Sequence, residues 1–184
     1  MREREAPVIY IALLRGINVG GYKMVAMADL RALLATLGFA DVRSVLQSGN
    51  LVFGAARTPA ATLEARLERE VAARLGVTAD FHVRTADEWR AIVDRNPFRD
   101  EAKRDPGHLL VTMFKSPLAA PKVKALQAAI TGREVLKADG RHLYMVFPDG
   151  VGNSKAFGLV DKKLAARGTS RNWNTVLKLA ALVQ

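Results

Sequence analysis

The stretch Val8-Ile9-Tyr10-Ile11-Ala12-Leu13-Leu14 runs straight into Arg15-Gly16-Ile17-Asn18-Val19-Gly20-Gly21-Tyr22-Lys23, and an amphipathic segment from Met27 to Leu37 follows. The first seven residues are apolar at every position. A half-exposed strand alternates, so an unbroken apolar run predicts a strand covered on both faces. Leu30, Leu33, Leu34 and Leu37 then recur at helical spacing, and Gly38 supplies a left-handed C-terminal stop. The polar loop between them carries three glycines, an Asn, an Arg and a Lys where a strand gives way to a helix. Backbone N–H groups face anions at such junctions in α/β architectures.

Outward from this unit, Asp41 to Gln47 and Leu51 to Gly54 are short extended runs joined by Ser48-Gly49-Asn50, which is hairpin chemistry. Thr58-Pro59 opens a long amphipathic helix through Leu63, Leu67, Val71 and Leu75, ended by Gly76. Asp80 to Arg84 is a strand with Phe81 and Val83 on one face and His82 and Arg84 on the other. A short helix, Asp87 to Val93, precedes the break at Asn96-Pro97. The order is β-α-β-β-α-β, the split βαβ of ferredoxin-like domains.

The second half repeats this order. His108 to Lys115 reads as a strand and Lys122 to Ile130 as a helix. Glu134 to Ala138 and His142 to Phe147 form a hairpin across Asp139-Gly140, and Lys155 to Ala166 is a second helix. Thr169 to Arg171 gives a short last strand and Trp173 to Val183 a closing helix. The expected fold is therefore α+β, with two tandem ferredoxin-like (βαββαβ) modules, residues 1–96 and 97–184, packed as one unit and ending in a C-terminal helix. Glycine hairpins at Gly49 and Gly140, and Pro59 and Pro148 ahead of the following helices, match in order. This implies related modules, although residue identity between them is too thin to establish an internal duplication. Asn96 to Gly107, polar and bracketed by two prolines, is the expected boundary.

The chain has 184 residues, 49% of them apolar, which suffices for a packed core. No apolar run is long enough to span a bilayer and the N-terminal charges lack the apolar segment of a signal peptide, so a cytoplasmic protein with no membrane partner is expected. With no cysteine and three scattered histidines, thiol chemistry is excluded, no metal site is expected, and no cofactor is implied. The net charge of +10 is uneven: residues 1–96 hold 13 Lys/Arg against 11 Asp/Glu, and 97–184 hold 15 against 7. Such a field concentrates anionic ligands, from nucleotides to nucleic acid, or serves solubility alone.

Four polar segments carry the candidate ligand chemistry. The first loop offers Arg15, Gly16, Asn18, Gly20, Gly21 and Lys23, though neither the P-loop spacing nor the dinucleotide fingerprint is met. The hairpin offers Ser48 and Asn50, which also commonly bond their own turn. In the second half, Asn153-Ser154-Lys155 opens a helix, either as a cap or as an anion contact. Lys155 opposes the helix dipole unless an anion neutralises it. Thr169-Ser170-Arg171-Asn172-Trp173-Asn174-Thr175 is the densest polar cluster, with Arg171, Asn172 and Asn174 at the start of the last helix. Ser154 and Lys155 point about 100° apart on a helix, so one is poorly placed to deprotonate the other, and no nucleophile and base pair stands out.

Together, Leu14-Arg15-Gly16-Ile17-Asn18-Val19-Gly20-Gly21, Gln47-Ser48-Gly49-Asn50, Phe147-Pro148 with Ser154-Lys155, and the Thr169 to Thr175 segment resemble the bacterial family known as domain of unknown function 1697. The resemblance spans nearly the whole chain. It implies an α+β fold and marks Arg15, Asn18, Gly20, Gly21, Ser48, Asn50, Ser154, Lys155, Arg171, Asn172 and Asn174 as motif positions, without assigning them jobs. One departure is that the loop continues Gly-Gly-Tyr-Lys-Met, where a more lysine-rich continuation is expected.

The leading functional expectation is binding of an anionic small molecule, a nucleotide or sugar phosphate, by Arg15, Asn18, Lys155, Arg171 and glycine-loop amides at corresponding strand-to-helix turns of the two modules. Nucleic-acid binding is the second expectation, weakened because base-stacking modules need exposed aromatics on their sheets. An enzyme using Lys155 or Arg171 to stabilise transition-state charge is the third.

Overall fold

The fold is that of a computed structural model, which describes residues 6–17 and 24–184. The chain forms β1 (Val8–Arg15), α1 (Met27–Thr36), β2 (Ala40–Val45), β3 (Asn50–Ala55), α2 (Ala60–Leu75), β4 (Asp80–Thr85), α3 (Ala86–Asp94) and α4 (Arg99–Arg104). It continues through a 3-10 turn (Pro106–His108) to β5 (Leu109–Met113), α5 (Ala120–Ala129), β6 (Val135–Asp139) and β7 (His142–Val146). A second 3-10 turn (Val151–Asn153) leads to α6 (Lys155–Leu164), β8 (Thr169–Asn172) and α7 (Trp173–Ala181). This is an α+β fold with two four-stranded antiparallel sheets, ordered β2-β3-β1-β4 and β6-β7-β5-β8. No helix of the described residues is long and apolar enough to cross a membrane.

In the first sheet β1 is central, paired with β3 on one side and β4 on the other. Tyr10, Ala12 and Leu14 point to the side where α1 and α2 bring Leu30, Leu34, Leu63 and Leu67, and the cluster closes over Phe39 and Phe53. Ile11 and Leu13, on the opposite face, are equally buried, as the apolar run of β1 requires. The alternation read along β4 holds: Phe81 and Val83 join the helix-side cluster. His82 and Arg84 lie opposite Leu13 and Ile11 in the register and are 1% and 0% exposed. A guanidinium at that depth needs an acceptor, and Arg84 Nη1 donates to the Val83 carbonyl at 2.8 Å.

The two end strands of this sheet are treated differently. Along β4, Val83 N donates to Glu64 Oε1 at 2.8 Å and Phe81 N to Glu68 Oε1 at 2.9 Å. Two carboxylates one helical turn apart on α2 thus cover its outer edge, and Thr85 N is met by Glu88 Oε2 at 2.8 Å. At the other end β2 is bulged between Ala40 and Arg43, with Asp41 at φ +50°. Both arrangements hide strand edges from intermolecular pairing.

The second sheet is built the same way. Phe114, Leu126, Leu143, Phe147, Val160 and Leu164 form its helix-side core. Tyr144 points away from that cluster, is fully buried, and donates its hydroxyl to the Ile92 carbonyl at 2.8 Å. Burial is the main cause that pushes the Tyr144 phenol far above the usual tyrosine range.

The chain divides into two compact units, one running through Ala91 together with Lys178–Gln184, the other Ile92–Leu177. The closing residues therefore belong with the first unit rather than with the module read as 97–184. Arg43 Nη2 donates to the Leu182 carbonyl at 3.3 Å and Arg90 Nη1 to the Val183 carbonyl at 2.8 Å. The stretch 96–107, expected as the boundary, holds the short helix α4. Asp100 and Glu101 in the first turn of α4, with Lys103 and Arg104 in its last, match the helix dipole at both ends and favour the short helix.

Candidate functional site

In the first unit, Arg15 ends β1 opposite Asp80, and Gly16 follows at φ +70°. Asn18, Gly20, Gly21 and Lys23 lie outside the described residues. The hairpin between β2 and β3 packs directly on this end of β1: Leu14 N donates to the Gly49 carbonyl at 2.8 Å. Gly49 has φ +74°, and a Cβ there would come within 2.8 Å of Ile17 Cδ1 and 2.9 Å of Leu14 Cβ. Thus Arg15-Gly16-Ile17 and Gln47-Ser48-Gly49-Asn50, far apart in sequence, are neighbours. Asn50 is fully buried, and its Nδ2 donates to the Val45 carbonyl at 2.8 Å and to Ser48 Oγ at 2.9 Å. The turn-holding role open to Asn50 in the sequence is the one its side chain performs.

In the second unit, Ser154 is the N-cap of α6, its Oγ accepting from Ala156 N at 3.1 Å while donating to Glu134 Oε1. Asn153 Nδ2 donates to the Asp149 carbonyl at 3.1 Å. Arg133 holds Asp149 through two bonds, Nε to Oδ2 at 3.1 Å and Nη2 to Oδ1. That hydrogen bonding keeps the Asp149 carboxyl below its ordinary range and raises the guanidinium of Arg133. These groups and Lys155 line a cavity of about 240 Å³ beside the start of α6. Lys155 is exposed and has no ion-pair partner among the described residues. Glu134 Oε2 is buried there without a hydrogen-bond partner among them. Glu134, Arg133 and Asp149 are not among the residues that the sequence singles out. Glu134 comes from the turn ahead of β6, twenty positions from Ser154, and nothing local in the sequence links the two.

At the start of α7, Asn172 Oδ1 accepts from Thr175 N and Thr175 Oγ1, both at 3.0 Å, and so serves as the cap. Arg171, opposite Val111 in the sheet, donates through Nη1 to Thr169 Oγ1 at 2.9 Å and to the Ser170 carbonyl at 2.8 Å. Burial lowers its guanidinium to about 10. Asn174 is exposed on the first turn of α7.

The topology corrects one correspondence. In chain order the β1-to-α1 loop matches the β5-to-α5 connection, whereas Ser154-Lys155 follows the hairpin and matches the β3-to-α2 connection that contains Pro59. These turns lie at opposite ends of the strands, so the Arg15 loop and Ser154-Lys155 are not equivalent positions. Within the second unit, Val146 at the end of β7 pairs with Leu109, and Asn172 at the end of β8 pairs with the next residue, Leu110. The run from β7 toward α6 and the Arg171-Asn172 pair therefore leave the sheet at the same end. Among the described residues no group of three or more His, Cys, Asp or Glu is placed to hold a metal ion.

The solved structure of the conserved bacterial protein SP0830 from Streptococcus pneumoniae superposes with a TM-score of 0.76 at 24% identity, covering 96% of this chain and 99% of that one. That likeness concerns the fold alone. No curated protein matches the chain. The family described as "Protein of unknown function (DUF1697)" matches residues 8–144. The resemblance carried by the loop and hairpin motifs thus holds, and the chain belongs to the DUF1697 family.

Proposed function

We propose that the chain binds a small anionic molecule, a phosphate- or carboxylate-bearing metabolite, in the cleft at the start of α6. The observation that carries this reading is Lys155: it occupies the first position of a ten-residue helix with no acidic residue in its first turn. It has no ion-pair partner among the described residues and borders a cavity shared with Arg133 and Ser154. A cation there opposes the dipole, and a bound anion would reverse that penalty. Glu134 is the internal competitor, because its carboxylate already accepts from Ser154; an incoming anion would take over that bond as Glu134 turns aside.

In this reading the two units are ferredoxin-like modules of common ancestry, supported by the βαββαβ order of their cores and their matching strand order. Base stacking on the sheets gains no support, since Tyr10, Phe53 and Tyr144 are at most 1% exposed.

Thermal unfolding with inorganic phosphate, pyrophosphate and adenosine monophosphate, against sulfate at matched ionic strength, tests the proposal. A ligand at a hundred times its dissociation constant adds about 2.7 kcal/mol, and Lys155→Ala is expected to abolish that gain. No stabilisation by any of the three, or an equal gain in Lys155→Ala, counts against the site.

A further inference from the structure

We infer that β6 is a docking edge for an extended acidic segment of a partner protein, which adds as a fifth strand to the second sheet. β6 is an end strand, next to β7 alone. Among the described residues its outer edge has neither of the protections found in the first sheet, where Glu64 and Glu68 cover β4 and a bulge distorts β2. β6 keeps an unbroken register with β7 from Val135 to Asp139. An extended, regular edge of this kind is a template for a further strand.

A groove of about 450 Å³ runs beside it, formed with α5 and lined by Leu118, Val123 and Leu136, with Lys124 and Lys137. Successive side chains of a strand face opposite ways. Leu136 is buried in the helix-side core, whereas Val135, on the other face, is 48% exposed, a large apolar side chain left in solvent. An added strand would thus set alternate apolar side chains against Leu136 and Val123. Its intervening side chains would lie beside Val135 and Lys137.

Charge selects the occupant. No carboxylate lines the groove, and neither Lys124 nor Lys137 has an ion-pair partner among the described residues. Asp139, the nearest acid along the strand, is held by Arg95 at 3.7 Å. A second copy of this chain is a poor occupant, because Lys137 is the middle residue of β6 and centred antiparallel pairing would set it against itself. Like charges directly opposite destabilise a strand pair. A segment alternating glutamate or aspartate with aliphatic residues meets both requirements.

The test is fluorescence anisotropy with a labelled, capped peptide alternating glutamate and valine. Controls are the same peptide with lysine for glutamate, and with N-methyl groups on alternate backbone nitrogens. The wild-type chain should bind the acidic peptide and reject the basic one, and methylation of the paired edge should weaken binding by at least about tenfold, since strand addition runs through main-chain hydrogen bonds. The double variant Lys124→Glu/Lys137→Glu should invert the preference. Binding of the basic peptide is a gain that an unfolded variant could not show. The inference is overturned if the acidic peptide shows no saturable binding at low salt, if methylation changes nothing, or if the double variant keeps the wild-type preference. It is equally overturned if sedimentation shows wild-type dimers that the double variant loses.

Discussion

A single methyl group at Gly49 would meet two obstacles, a left-handed backbone and the side chains of Ile17 and Leu14 below 3 Å. Gly16 shares the backbone condition without the crowding, since apart from its chain neighbours no atom of the described residues lies within 4 Å of its Cβ position. Gly49→Ala should therefore cost roughly 2–4 kcal/mol and Gly16→Ala only about 1–2, measured by urea unfolding. The glycine of Ser48-Gly49-Asn50 was legible as a turn, but its second role was not: it is the contact by which the hairpin seats on the end of β1. Long-range pairings of this kind leave no local trace. The same holds for Glu134, whose bond to Ser154 joins two segments that neither spacing nor motif connects. At Asp149 the partner Arg133 makes a pH prediction. A depressed carboxylate contributes stability above the usual aspartate range and loses it as pH falls through the lowered value. Titration of the Asp149 carboxyl carbon by NMR should show a midpoint below the ordinary value, and Arg133→Ala should return it there.

Elements with strong internal signals are legible nearly to the residue. Pro59 precedes α2 and Gly76 closes it at φ +66°, the asymmetry expected of a proline start and a glycine stop. β1 was legible because a strand buried on both faces cannot hide a polar residue. α4 was not, because six residues with two flanking prolines look like a linker until their charge order is matched to the dipole. The covering of β4 also escaped, since Glu64 and Glu68 read as the polar side of an amphipathic helix while Glu64 is only 3% exposed. Removing that acceptor strands a buried N–H. Glu64→Ala should destabilise the protein by about 1–3 kcal/mol and Glu64→Gln, which keeps an acceptor oxygen, by less. Hydrogen exchange at Val83 should rise in the first variant and stay low in the second.

At the level of the whole chain, the repeated order of helices and strands was open to sequence reading, because each half carries its own hairpin glycine and pre-helix proline. The allocation of Lys178–Gln184 to the first unit was not, because contacts such as those of Arg43 and Arg90 with the carbonyls of Leu182 and Val183 join residues far apart in the chain. Cutting the chain after Leu177 should lower protection from hydrogen exchange around Arg43 and Arg90 first. The amides of β5 and β7, in the second unit, should respond less.

That allocation also constrains assembly during synthesis. Residues leave the ribosome from the N-terminus, and units fold as their sequence becomes available. The first unit draws on segments separated by the whole of the second, so it cannot be complete until Lys178–Gln184 has been made.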